Sequence, residues 1–296
     1  MRGKEEERRV PVRITGLSKR YAADRKISSL SFAVYQQEIF CLLGSQGSGT
    51  GAVLKMLLDI VHPESGKIEI FGENIARNPR LKDRISYLSR DYQLPDGYSV
   101  EQLITMTGSF FSQVDLDWAL DFLNAQGIKS DWKINRLSRE KRQLVKLAQV
   151  LSNQSDLIIL DRPTAGLELA RQNQILLLLK ELRDRGATVM FSSSQPFEAR
   201  KIADRTGLFH QGSLLAVRGK EELAEFPGKI IFVPQFDIRD EHLTIPGITG
   251  WTRENDRFII HYQANEDEII KKLSSLPNLL LKLEQPDPGD YLSGVK

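Results

Sequence analysis

The stretch "LLGSQGSGTGAVLKMLL", residues 42 to 58, constrains this chain more than any other. An apolar strand end runs into a glycine-rich loop and then into an amphipathic helix. That layout turns backbone amides and the positive end of a helix dipole toward one point, which makes a cradle for phosphate. Gly44 and Gly49 hold the two glycine places of the pattern G-x-x-x-x-G-K-[ST], with Ser45, Gln46, Gly47 and Ser48 between them. Thr50 stands where the pattern has its lysine, and Gly51 where it has the hydroxyl that holds magnesium. The loop has the backbone of a phosphate cradle without its two chemical side chains.

A second signal lies about 110 residues further on. In "LIILDRPTAGLE" four apolar residues close on Asp161, the form of a buried strand that delivers one carboxylate to its C-terminal end, where open α/β sheets bind ligands. Alone this is weak; beside "GSQGSG" it reads as the metal-directed half of a nucleotide pocket. Strand-like runs ("RISYL", "DLIILD", "ATVMFSSS") and helical periodicity alternate through the first 215 residues. The alternation predicts an α/β architecture on a largely parallel sheet. A helix over about 170–185 should end at Gly186. Between about 91 and 136, "SVEQLITMTGSFF" and "DLDWALDFLNAQGI" have the i, i+3, i+4 spacing of amphipathic helices and predict a helical insertion. For the first of these, a packed helix is favoured over an exposed coupling face.

Residues 1–10, "MRGKEEERRV", read as a solvated tail rather than a signal peptide. Residues 11–215 read as the main domain, and 220–296 as a small α+β accessory module. Its expected strands are "KIIFVPQFDI", "DRFIIHYQA" and "LLLKLEQ", with "EDEIIKKLSSL" as a helix before the last.

Composition excludes several classes. A chain of 296 residues with 41% hydrophobic content can bury a large core. Its run of five apolar residues at 175–179 is far below the about 20 needed to cross a bilayer. The formal charge of +2 does not argue for nucleic acid. His62, His210, His242 and His261 show no metal-site spacing. The lone Cys41, among Ile39, Phe40, Leu42 and Leu43, excludes an internal disulfide and reads as a buried small hydrophobe.

Taken in order, the landmarks resemble the nucleotide-binding subunit of an ABC transporter from about residue 12 to 215. "LSKRY" places Tyr21 at the adenine-stacking aromatic, and the run from "LLGSQGSG" to "SGKIEIFGENI" follows the phosphate-loop region. "ISYLSRD" sits at the end of the Q-loop, "LSREKRQLVKLAQVL" at the signature helix, "LIILDRPTAGLE" at Walker B and the D-loop, and "TVMFSSSQPFEA" at the switch histidine. The resemblance implies a P-loop NTPase-type ABC ATPase domain with a helical subdomain. Relatives linked to translation carry two cassettes, and those of DNA repair carry a long coiled coil; neither feature is present.

Measured against that resemblance, the residues that do chemistry have changed. The family's lysine is Thr50, its metal-binding hydroxyl Gly51, its Q-loop glutamine Arg90, its catalytic glutamate Arg162 and its switch histidine Ser194. The signature LSGGQ reads Leu137, Ser138, Arg139, Glu140, Lys141. Loss of the lysine, whose charge-assisted contacts are each worth about 1.5–3 kcal/mol, should weaken ATP binding by about one to two decades. Loss of the glutamate removes about 10²–10⁴ in rate. The expected cofactors are thus ATP and magnesium held weakly, with Asp161 the remaining metal-directed group. In the family two subunits meet head to tail, each ATP lying between one phosphate loop and the other subunit's signature. Arg139 and Glu140 should carry bulk into that gap, with Glu140 adding a charge of the same sign as the phosphate.

The expectation is a pseudo-ATPase pairing with an intact homologue and a membrane permease, cytoplasmic and peripheral to the membrane. Two alternatives stay open on the sequence: an active ATP-hydrolysing transporter subunit, and a soluble scaffold or regulator outside transport.

Overall fold

The computed structural model describes residues 9–22, 25–109, 114–224, 228–262 and 265–284. Most of the expected tail, Phe110 and Phe111 of the first insertion helix, and the last residues of the terminal module lie outside these.

The chain opens with β1 (Val12–Ala22) and β2 (Arg25–Val34), then β3 (Ile39–Gly44), α1 (Thr50–Leu57) and β4 (Ser65–Ile70). After β5 (Ile85–Leu88) come the helices α2 (Val100–Thr107), α3 (Leu116–Ala125) and α4 (Arg139–Leu151). The chain then alternates through β6 (Leu157–Asp161), α5 (Leu169–Asp184), β7 (Thr188–Ser193), α6 (Pro196–Ile202) and β8 (Arg205–His210), followed by β9 (Ser213–Gly219) and α7 (Lys220–Ala224).

Six strands form the central sheet in the order β5-β6-β7-β3-β8-β9, parallel except for the β8–β9 pair. Both faces of this sheet are covered, and the alternation of side chains shows how. Along β3, Ile39, Cys41 and Leu43 join one core with the helices of the insertion and α5, while Phe40 and Leu42 join another with α1 and the small sheet β2-β1-β4. The strands β3, β6 and β7 are buried along their whole length. Strands covered on both faces read as unbroken apolar runs, which is why "LIIL" stood out.

The insertion helices are locally specified. Ser99 caps α2 by accepting from the Gln102 amide, and Gln102 accepts from the Ser99 amide in return. α2 buries Val100, Leu103 and Ile104, so it is a packed helix. Helix α5 ends near its expected place, with Gly186 at φ 112°.

The remaining strands, β10 (Gly228–Pro234), β11 (Ile248–Glu254), β12 (Arg257–Tyr262) and β13 (Asn278–Glu284), make an antiparallel sheet in the order β11-β12-β10-β13. Helix α8 (Glu266–Ser275) adds Ile269 and Leu273 to its core of Ile230, Phe232, Phe258 and Ile260. β10 stops short of the expected "QFDI" because its register shifts at Pro234, which has no amide to donate. Arg200 of α6 donates to the Tyr262 hydroxyl at 2.9 Å and joins this sheet to the body.

Candidate functional site

Register brings the site together. Asp161 at the end of β6 lies level with Ser192 of β7, and Leu43 of β3 lies level with Ser193, so Gly44, Asp161 and Ser192–Ser194 share one edge of the sheet. This is the carboxyl edge, where open parallel sheets bind their ligands.

The loop from Gly44 to Gly51 keeps the shape of a phosphate cradle. Gly47 (φ 87°) and Gly49 (φ 107°) lie in the left-handed region, and Gly49 caps α1. A β-carbon at Gly44 would lie 2.7 Å from the Phe209 carbonyl oxygen, so only glycine fits there. The Ser48 amide closes the turn onto Ser45 O, whereas the amides of Gln46, Gly47 and Gly49 find no partner among the described residues. Ser48 and Thr50 are buried, and Thr50 brings no charge. Tyr21 is partly exposed and stands over the loop, its hydroxyl 3.1 Å from where a β-carbon on Gly49 would lie.

Asp161 does not wait for a metal in open space. Its Oδ1 accepts from the Ser192 hydroxyl at 2.6 Å, and its Oδ2 lies 2.8 Å from the place a β-carbon on residue 51 would take. The carboxylate has moved into the volume freed by Gly51. One tethered carboxylate with no hydroxyl opposite it is a poor donor set for magnesium, and the groups present do not fit that ion. Among the described residues no cluster of His, Cys, Asp and Glu suits a metal.

Arg162, at the position where the resemblance expects a carboxylate, places a guanidinium in the middle of this edge. Its backbone is left-handed (φ 53°), a cost offset in part because its amide donates to the Ser192 hydroxyl at 3.0 Å. Nη1 donates to the Ser194 hydroxyl at 3.3 Å and Nη2 to the Gly44 carbonyl at 3.4 Å. One side chain thus ties the switch position to the first loop glycine. Burial and then the neighbouring Arg90 lower the Arg162 pKa below its ordinary value, while Asp161 and Glu198 pull it back up. Arg90 itself is exposed on the loop after β5. From that loop Asp91 pairs with Lys55 of α1 at 2.6 Å.

The signature-like residues sit at the start of α4. Ser138 caps the helix by accepting from the Lys141 amide at 3.2 Å. The expectation that Glu140 adds negative charge to the subunit gap is corrected. Its Oε1 accepts from the Glu168 amide at 3.1 Å and pairs with Arg171 at 3.2 Å, because a carboxylate at a helix start meets a cation of α5 at close range. Arg139 stays exposed, and Lys141 lies over the Trp132 ring at 4.5 Å. The start of α4 therefore presents cations.

Sequence reasoning missed Glu198. It is buried at 1% exposure and accepts from the hydroxyls of Thr164 and Ser193, joining the segment after β6 to the end of β7. Burial raises its pKa above the ordinary 4.5, against the two hydroxyls and Arg162. No signal marks it in the sequence, where it reads as one more charge on a short helix.

This edge and its neighbours match known proteins. Residues 27–165 match the ABC transporter family. This stretch is similar in sequence to an ABC transporter ATP-binding domain. It is 29% identical over 272 residues to the Nod factor export ATP-binding protein I of Neorhizobium galegae, covering 88% of this chain and 77% of that protein. It is 26% identical over 272 residues to the bacitracin transport ATP-binding protein BcrA of Bacillus licheniformis, covering 90% and 85%. Among solved structures, the ATP binding subunit of an ABC transporter superposes with a TM-score of 0.64 at 19% identity, covering 71% of this chain and 90% of that one. The fold is the ABC ATPase fold, the α/β class that the loop and strand pattern implied. No helix among the described residues is long and apolar enough to cross a membrane.

Proposed function

We propose that this ABC subunit is a pseudo-ATPase that pairs with an intact homologue and couples to a membrane permease. The observation that carries this reading is Arg162, whose guanidinium bonds to Gly44 O and Ser194 where the family has its catalytic glutamate. A guanidinium remains protonated at any working pH and cannot polarise an attacking water. The incomplete magnesium grip around Asp161 supports the same reading. The free loop amides and the dipole of α1 still favour phosphate, so the pocket holds ATP weakly, with Tyr21 under the adenine.

Pairing with an intact homologue follows from the same damage, since two copies would give two dead sites. Coupling to a permease is supported by a groove of about 480 Å³ beside the insertion, lined by Tyr87, Tyr92, Met106, Gln149 and Asn153. It is mostly apolar, and the buried Asn153 Nδ2 lacks a partner there. The names of the relatives, one for Nod factor export and one for bacitracin transport, fit a transport role. The subunit is cytoplasmic and peripheral on this reading.

The test is steady-state ATP hydrolysis by the purified full chain with magnesium, alone and mixed with its candidate homologue. The chain alone should stay at background. Turnover that disappears in Asp161→Asn would reject the reading.

A further inference from the structure

Beside the loop lies a second cleft, also of about 480 Å³, between α4 and the wall made by Arg90, Asp161 and Arg162. Positions 139, 142, 143 and 146 fall at i, i+3, i+4 and i+7, so Arg139, Arg142 and Lys146 share the face of α4 that lines it. Its charged lining is therefore five cations against the single carboxylate of Asp161, a surplus of four positive charges. Asp161 is already tethered to Ser192.

Two of the five cations are tied down, Arg142 to the Leu137 and Asn135 carbonyls and Arg162 to Gly44 and Ser194, and among the described residues the other three are not. Arg90, Arg139 and Lys146 form no ion pair among the described residues, and the carboxylate paired with Arg142 is Asp96, at 3.7 Å. Burial, then Arg142 and Arg139, lower the Lys146 pKa from its ordinary 10.5. Gln143 is held to the Pro163 carbonyl at 2.8 Å, which fixes α4 against the segment that carries Arg162. The charges are thus held together by the fold although they repel one another.

We infer that this cleft binds a compact oligophosphate anion directly, without magnesium. Guanidinium forks take pairs of phosphate oxygens, and four surplus charges suit a short phosphate chain. An acidic peptide spreads its carboxylates along a backbone of about 3.3 Å per residue and fits so small a cleft badly. The exposed Gln46, whose amide has no partner, adds a neutral donor at the rim. The cleft shares Gln46, Asp161 and Arg162 with the nucleotide pocket, so the inference deepens the reading of that edge, but it concerns one chain alone and holds whether or not that chain cleaves ATP.

Calorimetric titration of the full chain with sodium tripolyphosphate, in EDTA at about 0.15 M ionic strength, tests this. Saturable binding tighter than about 0.1 mM is expected, with a rise in the melting midpoint. The double variant Arg139→Gln with Lys146→Gln should weaken binding about tenfold or more, as should Arg90→Gln on its exposed loop. A control with two remote exposed cations removed, Arg77→Gln with Lys82→Gln, should bind as the parent does. ATP in the same buffer should bind no more tightly than tripolyphosphate, which separates a cleft that reads phosphates alone from a site that also grips the base. No saturation below about 1 mM, an equal loss in the control, a need for magnesium, or ATP favoured more than about tenfold would each overturn the assignment.

Discussion

The buried lengths of β3, β6 and β7 and the C-terminal ends of the same strands lie within a few residues of each other and follow different rules. Along the strands every position is buried and apolar packing is dense on both faces. At and just beyond the ends stand Thr50, Gly51, Arg162 and Ser194, the positions on which the proposed loss of ATP cleavage rests. Stability comes from area removed from water, summed over many side chains, while cleavage of a phosphoanhydride depends on a few charges at fixed points. A chain can lose the second without loosening the first.

That contrast can be broken first in the interior. Phe191 is fully buried in the middle of β7, and Phe191→Ala should cost about 3–5 kcal/mol in urea unfolding. A cost near zero would mean that the sheet does not depend on its core in the way described. At the edge, Thr50→Lys returns a cation to the loop and should tighten ATP binding about tenfold to a hundredfold in equilibrium titration. No gain would mean that the cradle has lost its shape as well as its charge.

Glu198 lies where interior and edge meet. Its folded pKa is raised above 4.5, chiefly by burial, so the folded chain binds the extra proton. Stability then falls as pH rises above 4.5 until the folded pKa is passed, by at most about 1.4 kcal/mol per pH unit. Glu198→Gln should flatten that limb of the unfolding free energy against pH, and an unchanged slope would remove Glu198 as its source. The smallest effect is expected at Arg162. Its side-chain bonds are long, at 3.3 and 3.4 Å, so Arg162→Ala should change stability by less than about 1 kcal/mol.

The legible part of the molecule was the part written locally. The loop and the strand closing on Asp161 are contiguous, and strands buried on both faces announce themselves as apolar runs. The pairing of Glu140 with Arg171 was not legible, because it depends on how α4 and α5 lie side by side. Glu198 was hidden for the same reason, its hydroxyl partners coming from two different segments. The strand β11 gave no signal either: its run "ITGWTRE" has no fully buried residue, and its register slips between Ile248 and Gly250.

The closeness of Asp161 to the place a β-carbon on residue 51 would take makes the two positions interdependent. A threonine placed at 51 would crowd a carboxylate that Ser192 holds, so the side chain of Asp161 would have to shift before the new hydroxyl could reach an ion. A hydroxyl side chain at 51 and the present Asp161 position exclude each other unless both move. The small residue at 51 and the bent-over carboxylate at 161 thus define each other's space.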